Sequence, residues 1–234
     1  MPSLSEQDEQ KRAAASWAVA AIEDGMIVGL GSGSTAEFAV KALAARIATG
    51  LRVEAIPTSE KTATLARRLG VPLTSFAAHR RIDITIDGAD QVARGSLDLI
   101  KGLGGALLRE KIVASVSDRM LVVVDATKLA DRLGGTVPLP VEIVKFGWEI
   151  ALDRLAALGC APRLRLAEDR PFITDGGNYI ADCTFAEIED PVSLAARLSA
   201  MVGIVEHGLF RGMACQIVVG RLTGVEVIDR RNSD

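Results

Sequence analysis

Met120-Leu121-Val122-Val123-Val124-Asp125 carries no polar side chain until its last position. A strand that is apolar at every position is covered on both faces, as inside a parallel sheet with helices on either side. Working outward, the same grammar recurs. Residues 26–30 form a short apolar run bounded by glycine. They are followed by the turn Gly31-Ser32-Gly33-Ser34-Thr35 and a helical pattern over 36–48. Strands are expected at 53–56, at 82–86 ending on Asp87, and at 97–100. Helices are expected at 5–23, 59–69 and 105–116. Strands alternating with helices in this way specify a doubly wound α/β layer with a mostly parallel, Rossmann-like sheet.

After Asp131 the pattern changes. Gly134-Gly135 and Pro138-Leu139-Pro140 punctuate the chain. A strand at 141–144, a helix at 146–158, short strands near 163–166 and 179–183 and a helix at 191–201 then describe a smaller α+β domain over 132–207. The segments 215–220 and 225–228 return to the main sheet, so the α/β domain is expected to comprise 1–131 and 208–234.

The composition excludes several classes. A net charge of −3 and 4% aromatic residues offer neither an electrostatic footprint nor stacking platforms for nucleic acid. No apolar run is long enough for a membrane helix, and the acidic, polar first residues do not read as a signal peptide. Cys160, Cys183 and Cys215 form no CxxC pair and have no metal-ligand spacing with His79 and His207. They are expected to be reduced thiols in a cytoplasmic protein.

Three motifs carry chemistry. In the first, Gly31 to Thr35, glycines admit close approach of a ligand. The following helix offers N–H groups to an anion, and Ser32, Ser34 and Thr35 add hydroxyls. This suits a phosphate monoester. Gly31-x-Gly33-x-x-Ala36 also fits the loose dinucleotide fingerprint, but the second strand ends in Ile56-Pro57-Thr58 rather than in the acid a dinucleotide ribose needs. The second motif, Asp87-Gly88-Ala89-Asp90, lies at a strand end, where ligands of open α/β sheets bind. Taken alone it is more often a turn with solvated acids, or a metal site. The third is Lys101-Gly102-Leu103-Gly104-Gly105, followed by a helix bearing Glu110. A lysine beside a developing oxyanion and a desolvated carboxyl with a raised pKa are the groups needed to move a proton next to a carbonyl. The competing reading of Glu110 is a surface acid paired with Arg109 or Lys111. Lys128, after Val124-Asp125-Ala126-Thr127, and Lys11 on the first helix are candidates for holding a phosphate or are solvated lysines.

Together these motifs resemble ribose-5-phosphate isomerases of the A type. The resemblance extends to Pro138-Leu139-Pro140-Val141-Glu142, Thr174-Asp175-Gly176-Gly177-Asn178 and Gly208-Leu209-Phe210. It implies interconversion of D-ribose 5-phosphate and D-ribulose 5-phosphate in the non-oxidative pentose phosphate pathway, without metal or other cofactor, by a homodimer or homotetramer whose small domain is ferredoxin-like. It implies Glu110 as the base that shuttles a proton between C1 and C2, and Lys101 and Asp87 as the groups that handle the oxygens. Asp90 helps to position the sugar. Ser32, Gly33, Ser34, Thr35, Gly88, Ala89, Gly102, Leu103, Gly104, Lys128 and Lys11 are the further substrate-binding candidates. Two departures stand out: Leu103 occupies a position where glycine is usual, and Gln91 one where glutamate is usual. Two other functions fit the fold, a non-catalytic sugar-phosphate sensor and an acyl-CoA transferase relative. The first lacks a basic recognition helix here, and the second lacks any CoA adenine site.

Overall fold

A computed structural model describes residues 4–230 of the protein. The expected domain limits at residues 1–3 and 231–234 lie outside them. Residues cluster in two compact units. One comprises the chain up to Ala89, Arg109–Leu129 and the chain from Gly212; the other comprises Asp90–Leu108 and Ala130–Arg211.

The first unit is built on a six-stranded sheet. Its order is Gly224–Asp229, Gln216–Arg221, Ser117–Asp125, Ile82–Asp87, Ile27–Leu30, Glu54–Pro57. All neighbours are parallel except the terminal hairpin, in which Gly224–Asp229 runs antiparallel to Gln216–Arg221. The chain therefore runs from the first strand outward to the second, then back past the first to the third. The sheet order reverses between Ile27–Leu30 and Ile82–Asp87, and open α/β sheets bind ligands beyond the carboxyl ends of strands at such a reversal.

Both faces are covered. Val28, Leu30, Ile84, Ile86, Leu121, Val123 and Val218 pack in one cluster with Ala14, Ala15 and Ala18 of the helix Leu4–Ala20. Ala39, Val40 and Leu43 of the helix Ser34–Ala48 join the same cluster. On the opposite face, the space where a Gly29 side chain would stand is taken by Thr85 and by Val113 of the helix Leu107–Ser115. Val113 also clusters with Ile56 and Ile82. Every residue from Met120 to Asp125 is buried, which is why this part of the strand carries no polar residue before Asp125, whereas its partly or fully exposed start, Ser117 to Arg119, is polar.

The second unit follows the order strand Leu139–Ile143, helix Trp148–Ala156, strand Ala161–Leu164, strand Tyr179–Thr184, helix Pro191–Ser199, strand Ile204–His207. Its four strands form an antiparallel sheet in the order Ile204–His207, Leu139–Ile143, Tyr179–Thr184, Ala161–Leu164. This is the split βαβ arrangement of a ferredoxin-like domain. Its core gathers Val141, Ile143, Leu155, Ala181, Cys183 and Leu198. Glu142, buried in the same strand, accepts hydrogen bonds from Thr174 Oγ1 (2.9 Å) and Asn178 Nδ2 (2.9 Å). That pair of bonds gives the Thr174–Asn178 turn a structural use.

The units differ from the expected boundaries at three places. Residues 90–108, 130–131 and 208–211 belong with the second unit rather than with the large sheet. The cause is a small antiparallel sheet in which Leu209–Phe210, Leu99–Ile100 and Gln91–Ala93 are neighbours. It places Ala93, Ile100 and Leu209 in the second core.

Candidate functional site

In the first unit, the strand Ile27–Leu30 delivers Gly31 directly against the end of the strand Ile82–Asp87. The Gly31 N–H donates to the Ile86 carbonyl (2.9 Å). A side chain on Gly31 would stand 2.5 Å from Asp87 Cα and 2.0 Å from its Oδ1, so only glycine permits this approach. Asp87 is fully buried, and its Oδ1 accepts the N–H groups of Ser32 (3.1 Å) and Gly88 (2.7 Å). The helix Ser34–Ala48 begins at Gly33 with no side-chain cap, which leaves the donors of its first turn available to an anion. Thr35 is buried there and Ser34 exposed.

Sequence reasoning missed what holds this loop. Ser32 Oγ lies 2.8 Å from Thr58 Oγ1, 2.8 Å from Ser59 Oγ and 3.3 Å from Thr62 Oγ1. Ser59 caps the helix Glu60–Arg68 by accepting from the Thr62 N–H (3.1 Å), and Thr62 Oγ1 donates to the Gly31 carbonyl (3.0 Å). The only sequence trace of this was a serine at a helix start. Beside the loop, a cavity of 450 Å³ is lined by Gly33, Glu37, Glu60, Lys61 and Arg68, among others. Glu37 and Glu60 stand in it and Lys61 is paired with Glu37 (2.7 Å), so it is poorly suited to a phosphate.

Glu110 lies in the first turn of the helix Leu107–Ser115 and is 4% exposed. That burial removes the surface-acid reading. Arg109 bonds Glu60 (2.9 Å) and, by that hydrogen bond and its charge, holds the Glu60 carboxyl below its ordinary range. Lys128 is half-buried at the end of the single turn Ala126–Lys128, which Asp125 caps by accepting from the Thr127 N–H (2.9 Å). Among the described residues Lys128 makes no ion pair. Lys11 faces Asp8 on its own helix at 3.8 Å.

In the second unit, Asp90 and the Lys101–Gly105 turn come together. Asp90 Oδ2 accepts the Leu103 N–H (2.8 Å), and the Asp90 N–H donates to the Ile100 carbonyl (2.9 Å). The two acids of the Asp87–Asp90 motif therefore anchor different loops. Lys101 is 2% exposed, its N–H donates to the Gly208 carbonyl (2.9 Å), and its ammonium sits 5.4 Å from the centre of the Phe210 ring. The left-handed backbone of the turn falls on Gly102 (φ 106°) and Gly105 (φ 81°). Leu103 adopts no positive φ, so the side chain that departs from the usual glycine costs no strain and stands partly exposed. Gln91, the other departure, exchanges hydrogen bonds with the backbone of Gly134 (3.1 and 2.8 Å). Gly88 and Gly102 are buried, Ala89 half-buried and Gly104 exposed. Among the described residues no group of three or more His, Cys, Asp or Glu is gathered as a metal site would require.

The first unit thus carries a glycine–hydroxyl loop at an open helix start with the buried carboxyls of Asp87 and Glu110, and the second carries the half-buried carboxyl of Asp90 beside the turn of the buried Lys101. The open helix start and its hydroxyls suit an anionic group. The family model for ribose 5-phosphate isomerase A (phosphoriboisomerase A) matches residues 54–224. The ribose-5-phosphate isomerase A of Gloeobacter violaceus is 53% identical over 94% of this chain and 96% of its own. That of Gluconobacter oxydans is 52% identical over 92% and 94%. Among solved structures, the enzyme of Methanocaldococcus jannaschii superposes with a TM-score of 0.92 at 36% identity, covering 95% of this chain and 99% of its own. That of Plasmodium falciparum superposes with 0.92 at 37%, covering 96% and 100%. A further structure, a D-ribose-5-phosphate isomerase in complex with phospho-erythronic acid, has the same TM-score at 36% identity and covers 95% and 99%. The chain belongs to the ribose-5-phosphate isomerase A family.

Proposed function

We propose that the protein interconverts D-ribose 5-phosphate and D-ribulose 5-phosphate as an aldose–ketose isomerase, a step of the non-oxidative pentose phosphate pathway. The observation that carries the reading most directly is the burial of Glu110 in a chain that also buries Lys101 and Asp87. Burying ionisable side chains is costly, and a sensor that only bound a sugar phosphate would have no use for a buried base.

In the proposed reaction the phosphate binds the uncapped N-terminus of the helix Ser34–Ala48, with Ser32, Ser34, Thr35 and Lys128 as hydroxyl and ammonium donors. Lys11, already paired within its own helix, is the weakest member of this set. Asp87 assists opening of the sugar ring, and Asp90 fixes the loop against which the open chain lies. Glu110 takes the proton from C2 of the aldose, which leaves a cis-enediolate whose charge is neutralised by the Lys101 ammonium. A proton passes from O2 to O1, and Glu110 returns its own proton to C1 to give the ketose. No redox equivalent is consumed.

Cytoplasmic location and homo-oligomeric assembly belong to the same reading. Free Cys160, Cys183 and Cys215 support the first. Phe146, 95% exposed, with exposed Ile150 and Val202, supports the second. The decisive assay supplies D-ribose 5-phosphate alone and follows D-ribulose 5-phosphate. Binding without turnover would return the protein to the sensor class.

A further inference from the structure

The Lys101 turn is gripped by side chains that lie more than sixty residues further along the chain. Arg165 sits between the strand Ala161–Leu164 and the two-residue strand Leu166–Ala167, with its side chain 12% exposed. Its Nη1 donates to both the Gly102 carbonyl (2.9 Å) and the Leu103 carbonyl (3.0 Å). The rest of the guanidinium is held by Asp182 of the neighbouring strand Tyr179–Thr184. Nε donates to Oδ2 (2.9 Å) and Nη2 to Oδ1. Phe172 lies against the guanidinium, 5.8 Å from ring centre to Cζ. The same ring occupies the space where a side chain on Gly105 would stand, 2.4 Å away. The Arg165 backbone is fixed to the sheet through Ile180 (2.8 Å) and Phe172 (2.9 Å).

One planar fork therefore joins a carboxylate on a strand to two consecutive carbonyls that directly follow Lys101. A guanidinium makes such a two-sided contact and an ammonium does not, because its donors do not lie in a plane at fixed spacing. From the other side, Asp90 takes the Leu103 N–H. The Gly102 and Leu103 carbonyls are thereby held by Arg165 and the Leu103 N–H by Asp90.

We propose that Arg165, oriented by Asp182, is a positioning residue of the isomerisation: it sets the backbone of the turn that aims the Lys101 ammonium. This rests on the proposed reaction, in which Lys101 meets the enediolate. Displacement of a catalytic group by about an ångström costs up to roughly a hundredfold in rate. Arg165→Lys, which keeps the charge and loses the fork, is expected to lower kcat about tenfold with KM for D-ribose 5-phosphate little changed.

The test is a kinetic double-mutant cycle of Arg165→Lys with Lys101→Ala, run beside hydrogen–deuterium exchange of the peptide containing the Leu103 amide. If Arg165 acts through Lys101, Arg165→Lys has almost no further effect on kcat in the Lys101→Ala background, and the Leu103 amide exchanges at least several-fold faster in Arg165→Lys. Multiplicative losses of kcat, or unchanged exchange at Leu103, overturn the proposal. If Arg165→Lys does not fold, Asp182→Asn, which keeps the shape of the side chain, is expected to show the same two signatures more weakly, and normal exchange with normal kcat there is equally fatal. Full activity of Lys101→Ala alone refutes the catalytic reading of the lysine, and with it the link from Arg165 to turnover. The exchange measurement still reports separately whether Arg165 holds the turn.

Discussion

Replacing Gly31 with alanine tests the close approach on which the loop depends. The added Cβ would lie 2.0 Å from Asp87 Oδ1, 2.2 Å from its Cγ and 2.5 Å from its Cα. The first two atoms belong to a side chain and can turn away, but Cα belongs to the strand Ile82–Asp87. Carbon atoms rest about 3.5–4.0 Å apart, so the two strands must separate by roughly 1 Å where the Gly31 N–H meets the Ile86 carbonyl. Overpacking of this kind costs about 1–3 kcal/mol. Turning Asp87 aside also sacrifices the bond from the Ser32 or the Gly88 N–H, and bonds to a charged acceptor are worth about 1.5–3 kcal/mol each. Gly31→Ala should therefore destabilise the protein by about 4 kcal/mol, or lower Tm by roughly 10 °C in a chain of this size, with loss of turnover. Gly95→Ala is the control, because a side chain there meets nothing within 4 Å. Thermal unfolding followed by circular dichroism reads both. A Gly31→Ala protein with the Tm and activity of the unsubstituted chain would refute the packing argument and the assignment of Asp87 to this loop.

Ser59→Ala removes a helix cap and one of the hydroxyls around Ser32. It should cost about 1 kcal/mol and raise KM for the sugar phosphate more than it lowers kcat, as steady-state kinetics on the purified variant would show. Lys101→Ala should lower kcat by about a hundredfold, since a lost oxyanion partner is worth roughly 3 kcal/mol; an effect confined to KM would make the lysine a binding residue. The neighbouring Cys183 thiol lowers the Cys160 pKa, while the same neighbour and burial raise the pKa of Cys183. Because the thiolate is the reactive form, alkylation of the native protein should modify Cys160 well before Cys183 and begin at a lower pH. Mass spectrometry of a pH series with iodoacetamide reads the order, and equal labelling of the two would contradict it.

What the sequence reveals follows the range of the forces involved. The apolar run ending at Asp125 and the glycine–serine turn after Leu30 announce themselves because burial on both faces and close backbone approach restrict consecutive residues. Helix limits shift by a few positions, as at Ser34, where the uncapped start at Gly33 extends the helix two residues before the apolar pattern begins. The pairing of the small sheet is illegible. A strand is expected at 97–100 and one stands at Leu99–Ile100, but its partner Leu209–Phe210 lies more than a hundred residues away. For the same reason residues 90–108 seemed to belong with the large sheet. Glu110, Lys101, Asp87 and the glycine loop could be nominated from local motifs. The hydroxyls of Thr58, Ser59 and Thr62 and the grip of Arg165 could not, because each acts on a backbone segment that is remote in sequence and each looks, locally, like an ordinary surface residue.

Glu110 is the group proposed to carry the proton, and kcat for Glu110→Gln measured beside the Kd for D-ribose 5-phosphate tests this most directly. The amide keeps the shape of the carboxyl and cannot accept the proton. kcat should fall by about a thousandfold or more, within the range of a lost general base, while Kd changes only a few-fold. A Glu110→Gln protein that turns over within tenfold of the unsubstituted chain would contradict the account.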